Sequence, residues 1–242
     1  MQNFIKSISA VLILFILVGC YCCEPEPAPP APPPPPPLSA MVSIAPIIQQ
    51  TTVWCWAASA QMVLGYYGYP AVNPLSPQCG IVGAYFGGQC AYDCISCTTP
   101  IGPMSNEQYV INNYGRFLSG YFTQYYPSIS SALVFRALSM NEIKTEISNN
   151  RPIIIGIAPG GGWALPNASQ HIAVLIGYDN TNGANEVVVN DPYPFWSNPS
   201  LSNPYVLVGA TSPRLGQYKL SYVALVQQLF WANSIYNMHT YY

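Results

Sequence analysis

The stretch QQTTVWCWAAS, residues 49–59, changes character at one cysteine. Two tryptophans flank Cys55, and small residues follow it in a segment whose apolar residues recur in helical register. Gly68 can end this helix as a C-terminal cap. Cys55 is therefore either a small apolar core residue or a nucleophile at a helix N-terminus, where the positive end of the helix dipole favours a thiolate.

The composition limits the classes of molecule that the protein is expected to bind. Half of the 242 residues are hydrophobic, which is enough for a sizeable core, and only 7% are charged, against roughly a quarter in ordinary soluble proteins. The formal net charge is −2, so the chain lacks the basic field that nucleic-acid binding requires. We therefore expect no nucleic-acid partner.

The N-terminus indicates export. Lys6 precedes an apolar run over residues 8–18, which is shorter than the ~20 residues of a membrane-spanning helix and is typical of a secretory signal. LVGC at 17–20 resembles a bacterial lipoprotein signal, and a plain signal peptide is the alternative. The resemblance implies a signal peptide over 1–19 and a lipid on Cys20 that anchors the protein to a membrane of the bacterial cell envelope, outside the cytoplasm. The uncharged Tyr21 implies the outer membrane in a diderm bacterium.

Residues 20–38 are predicted to form the anchor and a linker. Within them, EPEPAPPAPPPPPP at 24–37 cannot form a core and favours polyproline II at about 3.1 Å per residue. We interpret it as a stalk of roughly 40 Å. The folded domain is then expected over residues 39–242.

The pattern within this domain predicts the α+β class. A second helix is expected to begin at Ser105 and to end at Gly115, and a third begins with a capping box of Ser139 and Glu142. Strands are expected over 151–158, 171–179 and 185–191, and NTNG predicts a turn between the last two. Helices thus come first and strands follow, which differs from the regular alternation of a parallel α/β sheet.

His171 is the histidine best placed to activate Cys55. A nucleophilic thiol needs a base, and the chain has only two histidines. His239 lies near the C-terminus in NMHTYY, whereas His171 opens a strongly apolar strand after a glycine-rich stretch. The alternative for His171 is a structural role at a strand edge.

The third member of a catalytic group must orient the histidine. The strand after His171 ends in Asn190-Asp191-Pro192. Because consecutive strand side chains point to opposite faces, only one of Asn190 and Asp191 can meet His171. Pro192 interrupts the strand and favours Asp191, although Asp-Pro also begins turns.

Three blocks, QQTTVWCWAASAQMVLGYYG, HIAVLIGYD and VVVNDPY, together resemble papain-like cysteine proteases. The most similar branch is the bacterial one with AvrRpt2-like and C39-like peptidases. The resemblance implies a papain-like fold, in which an N-terminal helical part carries the nucleophile and a C-terminal antiparallel sheet carries the histidine and the acid. It implies Cys55 as nucleophile, His171 as base and Asp191 as the orienting acid. Gln49, or alternatively Gln50, donates to the oxyanion hole with the Cys55 backbone N–H.

Four further cysteines, Cys79, Cys90, Cys94 and Cys97, follow the nucleophile helix. They can form two disulfides, which suits an exported protein, or a four-thiolate zinc site. Four cysteines allow three connectivities, and the spacing does not choose between them. Beyond the N-terminal Cys20, Cys22 and Cys23, pairing these four leaves Cys55 as a free thiol.

The sequence thus predicts a secreted, membrane-anchored cysteine peptidase that acts on a protein or peptide substrate through a thioester acyl-enzyme. We expect a monomer that requires no metal or organic cofactor. Two other functions fit the same residues. One is a cell-wall amidase or acyl transferase with the same triad, and the other is an inactive domain that serves as a surface binding module.

Overall fold

The fold is described from a computed structural model, over residues 35–160, 170–195 and 202–241. The predicted signal peptide, Cys20 and the linker up to residue 34 lie outside these ranges. All elements below belong to the compact unit Pro36–Tyr242. The predicted boundary at residue 39 stays a prediction.

The described strands form one antiparallel sheet. The strands are β1 (Ser39–Met41), β2 (Ser128–Val134), β3 (Ile153–Ile157), β4 (His171–Asp179), β5 (Glu186–Asn190), β6 (Thr211–Arg214), β7 (Gln217–Ser221) and β8 (Asn233–Tyr241). Their order in the sheet is β2-β8-β3-β4-β5-β7-β6, and β1 pairs with the end of β4.

The longer helices come mainly from the N-terminal half, before most of the strands. The helices are α1 (Cys55–Tyr66), α2 (Pro77–Phe86), α3 (Met104–Tyr121), α4 (Met140–Ser148), α5 (Pro204–Leu207) and α6 (Tyr222–Gln227). Two 3-10 turns, Gly88–Ala91 and Cys94–Cys97, connect α2 to α3. The predicted α+β class, with a helical part before an antiparallel sheet, is confirmed.

Local signals placed most of the predicted elements correctly. Gly68 follows α1 at a φ of 79°, and the capping box of Ser139 and Glu142 starts α4 as predicted. Gly183 donates its N–H to Asn180 O at 3.1 Å, which closes the predicted turn between β4 and β5.

The predicted end of the second helix at Gly115 was wrong. The helix α3 begins after Pro103 rather than at a Ser105 cap, and it continues through Gly115 to Tyr121. A Cβ atom on Gly115 would lie 2.1 Å from the carbonyl oxygen of Pro127, which leads into β2. This glycine therefore allows two backbones to approach each other and does not end the helix.

Two disulfides link the four clustered cysteines: Cys79 with Cys94, and Cys90 with Cys97. Because all four sulfurs are paired, none of them is available as a zinc thiolate. Within the described residues, Cys55 is the free cysteine.

The core lies between the helices and the sheet. The fully buried side chains include Trp54 and Trp56, with Ala57 and Ala58 on α1 and the central residues of β3 and β4. Small residues on α1 allow it to pack directly on β4. In the described part of the chain, each helix is too short or too polar to cross a membrane.

Candidate active site

Cys55 is the first residue of α1 and lies beside a cleft. Trp54 occupies the N-cap position and supplies no side-chain acceptor to the helix. The N–H groups of a first helical turn have no intrahelical partner, so the Cys55 amide can serve as a donor at this end. The cysteine side chain is partly exposed, whereas both flanking tryptophans are fully buried.

Both flanking indoles are held by the disulfide-linked segment. Trp54 Nε1–H donates to the carbonyl of Cys97, and Trp56 Nε1–H donates to that of Thr99, each at 3.4 Å. Buried indole N–H groups need such partners. The WCW sequence thus anchors the nucleophile on both sides and is more than core packing.

His171 is the first residue of β4, and α1 packs against this strand. Ser59 Oγ donates to the carbonyl of Ile172 at 3.3 Å, which fixes the first turns of α1 against the beginning of β4. Cys55 and His171 consequently line the same cleft. The segment just before Gln170 lies outside the described residues.

Asp191 lies directly behind His171. Its Oδ1 is 2.7 Å from His171 Nε2, and its side chain is fully buried. The carboxylate also accepts the N–H of Tyr193 at 2.7 Å and the phenol O–H of Tyr205 at 2.8 Å. Because Asp191 engages Nε2, Nδ1 is the ring nitrogen left to face the thiol.

Asn190 has a different position and a structural role. Its amide donates to the carbonyl of Ile44 at 2.9 Å, and its oxygen accepts the Gln217 amide at 2.8 Å. Asp191 leaves the ladder of β5 and instead donates its N–H to Gly216 O at 2.8 Å. The alternation of strand side chains thus separates these two neighbours as expected, with Asp191 towards His171.

The electrostatics of the pair favour an imidazolium. Burial alone would lower the pKa of His171, but the Asp191 carboxylate raises it, and a hydrogen bond and charge interaction with Cys55 raise it further, to about 10. A positively charged ring next to a sulfur stabilises a thiolate, which is the nucleophilic form of cysteine.

Gln49 is buried, and Gln50 is exposed. Gln49 Nε2 donates one proton to the carbonyl of Thr51 at 2.7 Å, which leaves its second amide proton for another acceptor. The backbone N–H of Gln49 donates to Pro192 O at 2.9 Å, so this loop is attached to the residue that follows Asp191. Gln50 turns its side chain towards Ser76 instead, at 3.1 Å.

Two buried neighbours of the predicted triad were missed in the sequence. Tyr205, at the start of α5, donates to Asp191, and burial followed by the charge of Asp191 raises its pKa well above the usual value. Glu107, in the first turn of α3, is fully buried, and neither carboxyl oxygen has a hydrogen-bond partner among the described residues. Burial, with a smaller contribution from Cys55, raises the pKa of Glu107 well above its usual value. No spacing rule connects either residue to the predicted triad, so neither could be identified from a local pattern.

The cleft beside Cys55 and His171 is lined by three further segments of the chain. Besides Cys55 and His171, it is bordered by backbone and side chains of three segments: Thr52 and Val53, residues 100–102, and Gln170 with Ile172. A thiol beside a ring that holds a proton, with a buried carboxylate behind the ring, is an arrangement that can carry out nucleophilic attack on a carbonyl.

Comparisons with solved structures found several proteases. A double glycine motif protease from an AMS/PCAT transporter, solved in complex with the leader peptide, is 18% identical, with 81% of this chain and 93% of that chain covered and a TM-score of 0.42. Digestive procathepsin L 3 of Tenebrio molitor larval midgut is 11% identical, with 84% and 70% covered and a TM-score of 0.49. A structure from work on the mite allergens Blo t 1 and Der p 1 is 12% identical, with 94% and 77% covered and a TM-score of 0.48.

No curated protein matches the chain significantly in sequence. The sequence model of the Peptidase_C39 like family, however, matches residues 42–205, about two thirds of the chain. The matched range includes Cys55, His171 and Asp191. The chain therefore belongs to the Peptidase_C39 like family and is a cysteine peptidase.

Proposed function

We propose that the chain hydrolyses peptide bonds through a Cys55–His171–Asp191 triad. The observation that carries this proposal is the 2.7 Å contact between His171 Nε2 and Asp191 Oδ1, because Cys55 lines the same cleft as this histidine. The family membership supports a peptide or protein as the substrate.

Each residue has a defined step in this reaction. The Cys55 thiolate attacks the scissile carbonyl carbon, and the carbonyl oxygen becomes an oxyanion that accepts hydrogen bonds from the Cys55 N–H and the Gln49 amide. His171 transfers its Nδ1 proton to the leaving amine as the C–N bond breaks, which leaves a thioester on Cys55. His171 then takes a proton from water, the hydroxide displaces the thiolate, and the acid product leaves.

The oxyanion hole contributes a large part of the rate. Removal of one preorganised donor typically lowers kcat by about 10²–10³. Gln49 is the better candidate because it is buried beside the residue that follows Asp191, whereas the side chain of Gln50 is exposed and contacts Ser76.

An activity-based probe tests the triad directly. The full chain, produced in an oxidising compartment, is treated near neutral pH with a peptidyl epoxide, and peptide mass spectrometry locates the adduct. We expect labelling of Cys55 that is lost in His171→Ala. His239→Ala is the matched control, because His239 is a partly exposed residue of β8 whose ring contacts Asn237 O at 2.9 Å and the ring of Tyr241.

The result also separates the other two functions. Equal labelling of Cys55 with and without His171, or no labelling, would refute the triad and favour an inactive binding module. Labelling without hydrolysis of any peptide library, together with release of stem peptides from cell walls, would favour the cell-wall amidase or acyl transferase.

We further propose that the protein is a lipoprotein of the AvrRpt2-like branch, exported and anchored through Cys20. The support for the anchor is the LVGC sequence at 17–20 and the proline-rich segment that follows, and the support for the branch is the resemblance of the three blocks around Cys55, His171 and Asp191. Labelling of cells with a palmitate analogue should mark the wild-type protein and fail to mark Cys20→Ala. An unlabelled wild type that is released into the medium would contradict the anchor.

A further inference from the structure

Gln78 is a buried glutamine that the proposed mechanism does not use. It lies in the first turn of α2 and is only 1% exposed. Its Oε1 accepts the backbone N–H of Gln50 at 2.8 Å. Its Nε2 donates to the carbonyl of Ile48 at 2.8 Å and to Gln61 Oε1 at 3.3 Å. The side-chain amide therefore satisfies three different groups.

Two of these bonds fall on either side of Gln49. Gln78 accepts from the peptide group that follows Gln49 and donates to the carbonyl that precedes it. The Gln49 N–H is held independently by Pro192 O at 2.9 Å. The backbone around Gln49 is thus fixed at three consecutive residues, and two of the bonds come from one side chain.

The third bond reaches the nucleophile helix. Gln61 belongs to α1, the helix that begins at Cys55. The two proposed oxyanion donors come from different elements: the Cys55 N–H from α1, and the Gln49 amide from the preceding loop. Gln78 is hydrogen-bonded to both elements and so sets the distance between them.

The first turn of α2, which carries Gln78, is held in place by covalent constraints. Pro77 fills the first helical turn of α2, and Cys79 is disulfide-bonded to Cys94. Ser76 Oγ adds a bond to Gln50 Oε1 at 3.1 Å. The loop therefore packs on a part of α2 that a proline and a disulfide hold in place.

We propose that Gln78 is a positioning residue that holds Gln49 in the oxyanion hole at the correct distance from the Cys55 amide. This inference rests on the proposed function. If Gln78 had a purely structural role, it would satisfy the same buried groups, but its substitution would change kcat, KM and the reactivity of Cys55 together. The two roles differ in which kinetic constant changes.

The test compares reactions with and without an oxyanion. Gln78→Met has nearly the same size and lacks the hydrogen bonds. We expect kcat for peptide hydrolysis to fall at least about tenfold, with KM changed less than about threefold, because only the transition state uses the oxyanion hole. Alkylation of Cys55 by iodoacetamide forms no oxyanion, so its rate should change less than about twofold.

A double-mutant cycle tests the route through Gln49. If Gln78 acts through Gln49, Gln49→Ala/Gln78→Met should be no more than about threefold slower than Gln49→Ala alone. Gln108→Met is the matched control with unchanged kinetics, since Gln108 donates to Ser131 O of β2 at 2.9 Å. If Gln78→Met does not fold, Gln78→Glu replaces it, because a carboxylate still accepts from Gln50 but cannot donate to Ile48.

Each outcome bears on the inference. Wild-type kcat in the Gln78 variant, additive losses in the cycle, or a parallel fall in the alkylation rate would overturn it while the triad stands. A wild-type protein that neither hydrolyses peptides nor depends on His171 for labelling would overturn the proposed function, and this inference with it.

Discussion

At the residue scale, the negative charge of Asp191 should do more than orient His171, because it also raises the pKa of the ring. We expect Asp191→Asn to keep the fold, because an asparagine can still accept from Tyr193 and from His171. It should nevertheless lower the pKa of His171 from about 10, since the adjacent negative charge is lost. The pH at which activity is lost on the alkaline side of the profile should therefore be at least about one unit lower than in the wild type.

The measurement is the pH profile of peptide hydrolysis for both proteins. Asp179→Asn is the matched control, because Asp179 lies at the other end of β4 and pairs with Lys219 at 2.8 Å. An unchanged alkaline limit in Asp191→Asn would show that the carboxylate does not hold the proton on His171.

Glu107 should make the fold less stable as the pH rises. Its pKa in the folded protein is well above the unfolded value, so the folded state holds a proton that the unfolded chain has lost, and stability falls with increasing pH above the unfolded pKa. His171 adds to this trend, since its pKa is raised from 6.5 to about 10 and its stabilising contribution is lost as the pH rises through that range. Glu107→Gln should remove only the first contribution.

We therefore expect Glu107→Gln to be more stable than the wild type at pH 8, with a smaller difference at pH 5, as measured by denaturant unfolding. The limiting slope for one proton is about 1.4 kcal/mol per pH unit. Glu142→Gln should instead be less stable than the wild type at both pH values. The Arg136 guanidinium lowers the pKa of Glu142 to about 2, so the stabilising effect of Glu142 is lost only in acid. A constant difference between Glu107→Gln and wild type at both pH values would contradict an un-ionised Glu107.

The residues that the sequence predicts best are those whose chemistry depends on their type. A cysteine before small residues and a histidine that opens an apolar strand stand out in any context. Gln78, Glu107 and Tyr205 do not, because a glutamine, a glutamate or a tyrosine acquires its role only from partners far along the chain. Gln78, for example, contacts residues 17 to 30 positions earlier in the sequence.

At the scale of elements, the error at Gly115 has a direct test. Alanine is a better helix former than glycine, so Gly115→Ala ought to stabilise α3 if local propensity decided the outcome. We expect instead a loss of about 1–3 kcal/mol, because the new Cβ would lie 2.1 Å from Pro127 O. Gly120→Ala in the same helix meets nothing within 4 Å and should gain about 0.5–1 kcal/mol. Thermal unfolding of both variants measures the contrast, and a stabilised Gly115→Ala would mean that β2 can move away from α3.

The disulfide-linked segment should contribute to stability according to its loops. Cys79 and Cys94 are 15 residues apart, and Cys90 and Cys97 are 7 apart. The chain-entropy relation gives about 3 kcal/mol for the longer loop and about 2 kcal/mol for the shorter one. Double serine variants of each pair, compared by denaturant unfolding, should follow this order. The reverse order would mean that the disulfides stabilise the protein through contacts in the folded state rather than by restricting the unfolded chain.

The same segment shows why pairing could not be read from the sequence. Helix caps and turns depend on neighbours within four residues, so Gly68, the capping box and the turn before Gly183 could be predicted. Disulfide pairing depends on how two 3-10 turns fold back on α2, and sheet order depends on long-range contacts, such as β8 between β2 and β3. Neither leaves a local pattern.

At the scale of the whole molecule, two residues just before the predicted boundary at residue 39 are hydrogen-bonded to the end of β4 and to the residue that follows it. Tyr178 O–H donates to the carbonyl of Pro37 at 2.8 Å, and the N–H of Asn180 donates to Leu38 O at 2.9 Å. The strand β1 then pairs with the end of β4. The last two residues of the predicted linker, Pro37 and Leu38, thus form hydrogen bonds with the end of β4 and the residue after it.

We expect a chain that starts at Pro36 to retain full stability and activity. A chain that starts at Val42 loses these bonds and β1, which should cost about 2 kcal/mol and lower the Tm by about 4–8 °C. Scanning calorimetry of both chains provides the measurement. Equal Tm values would mean that β1 is dispensable.

The two indoles next to the nucleophile should allow the reaction at Cys55 to be followed by tryptophan fluorescence. Trp54 and Trp56 are each one peptide bond from Cys55, and both are buried and hydrogen-bonded to one peptide segment. Formation of a thioester on Cys55 alters the field and the quenching around both chromophores, and its hydrolysis restores them. Stopped-flow fluorescence can therefore resolve acylation from deacylation on the unlabelled protein, with Cys55→Ala as the silent reference.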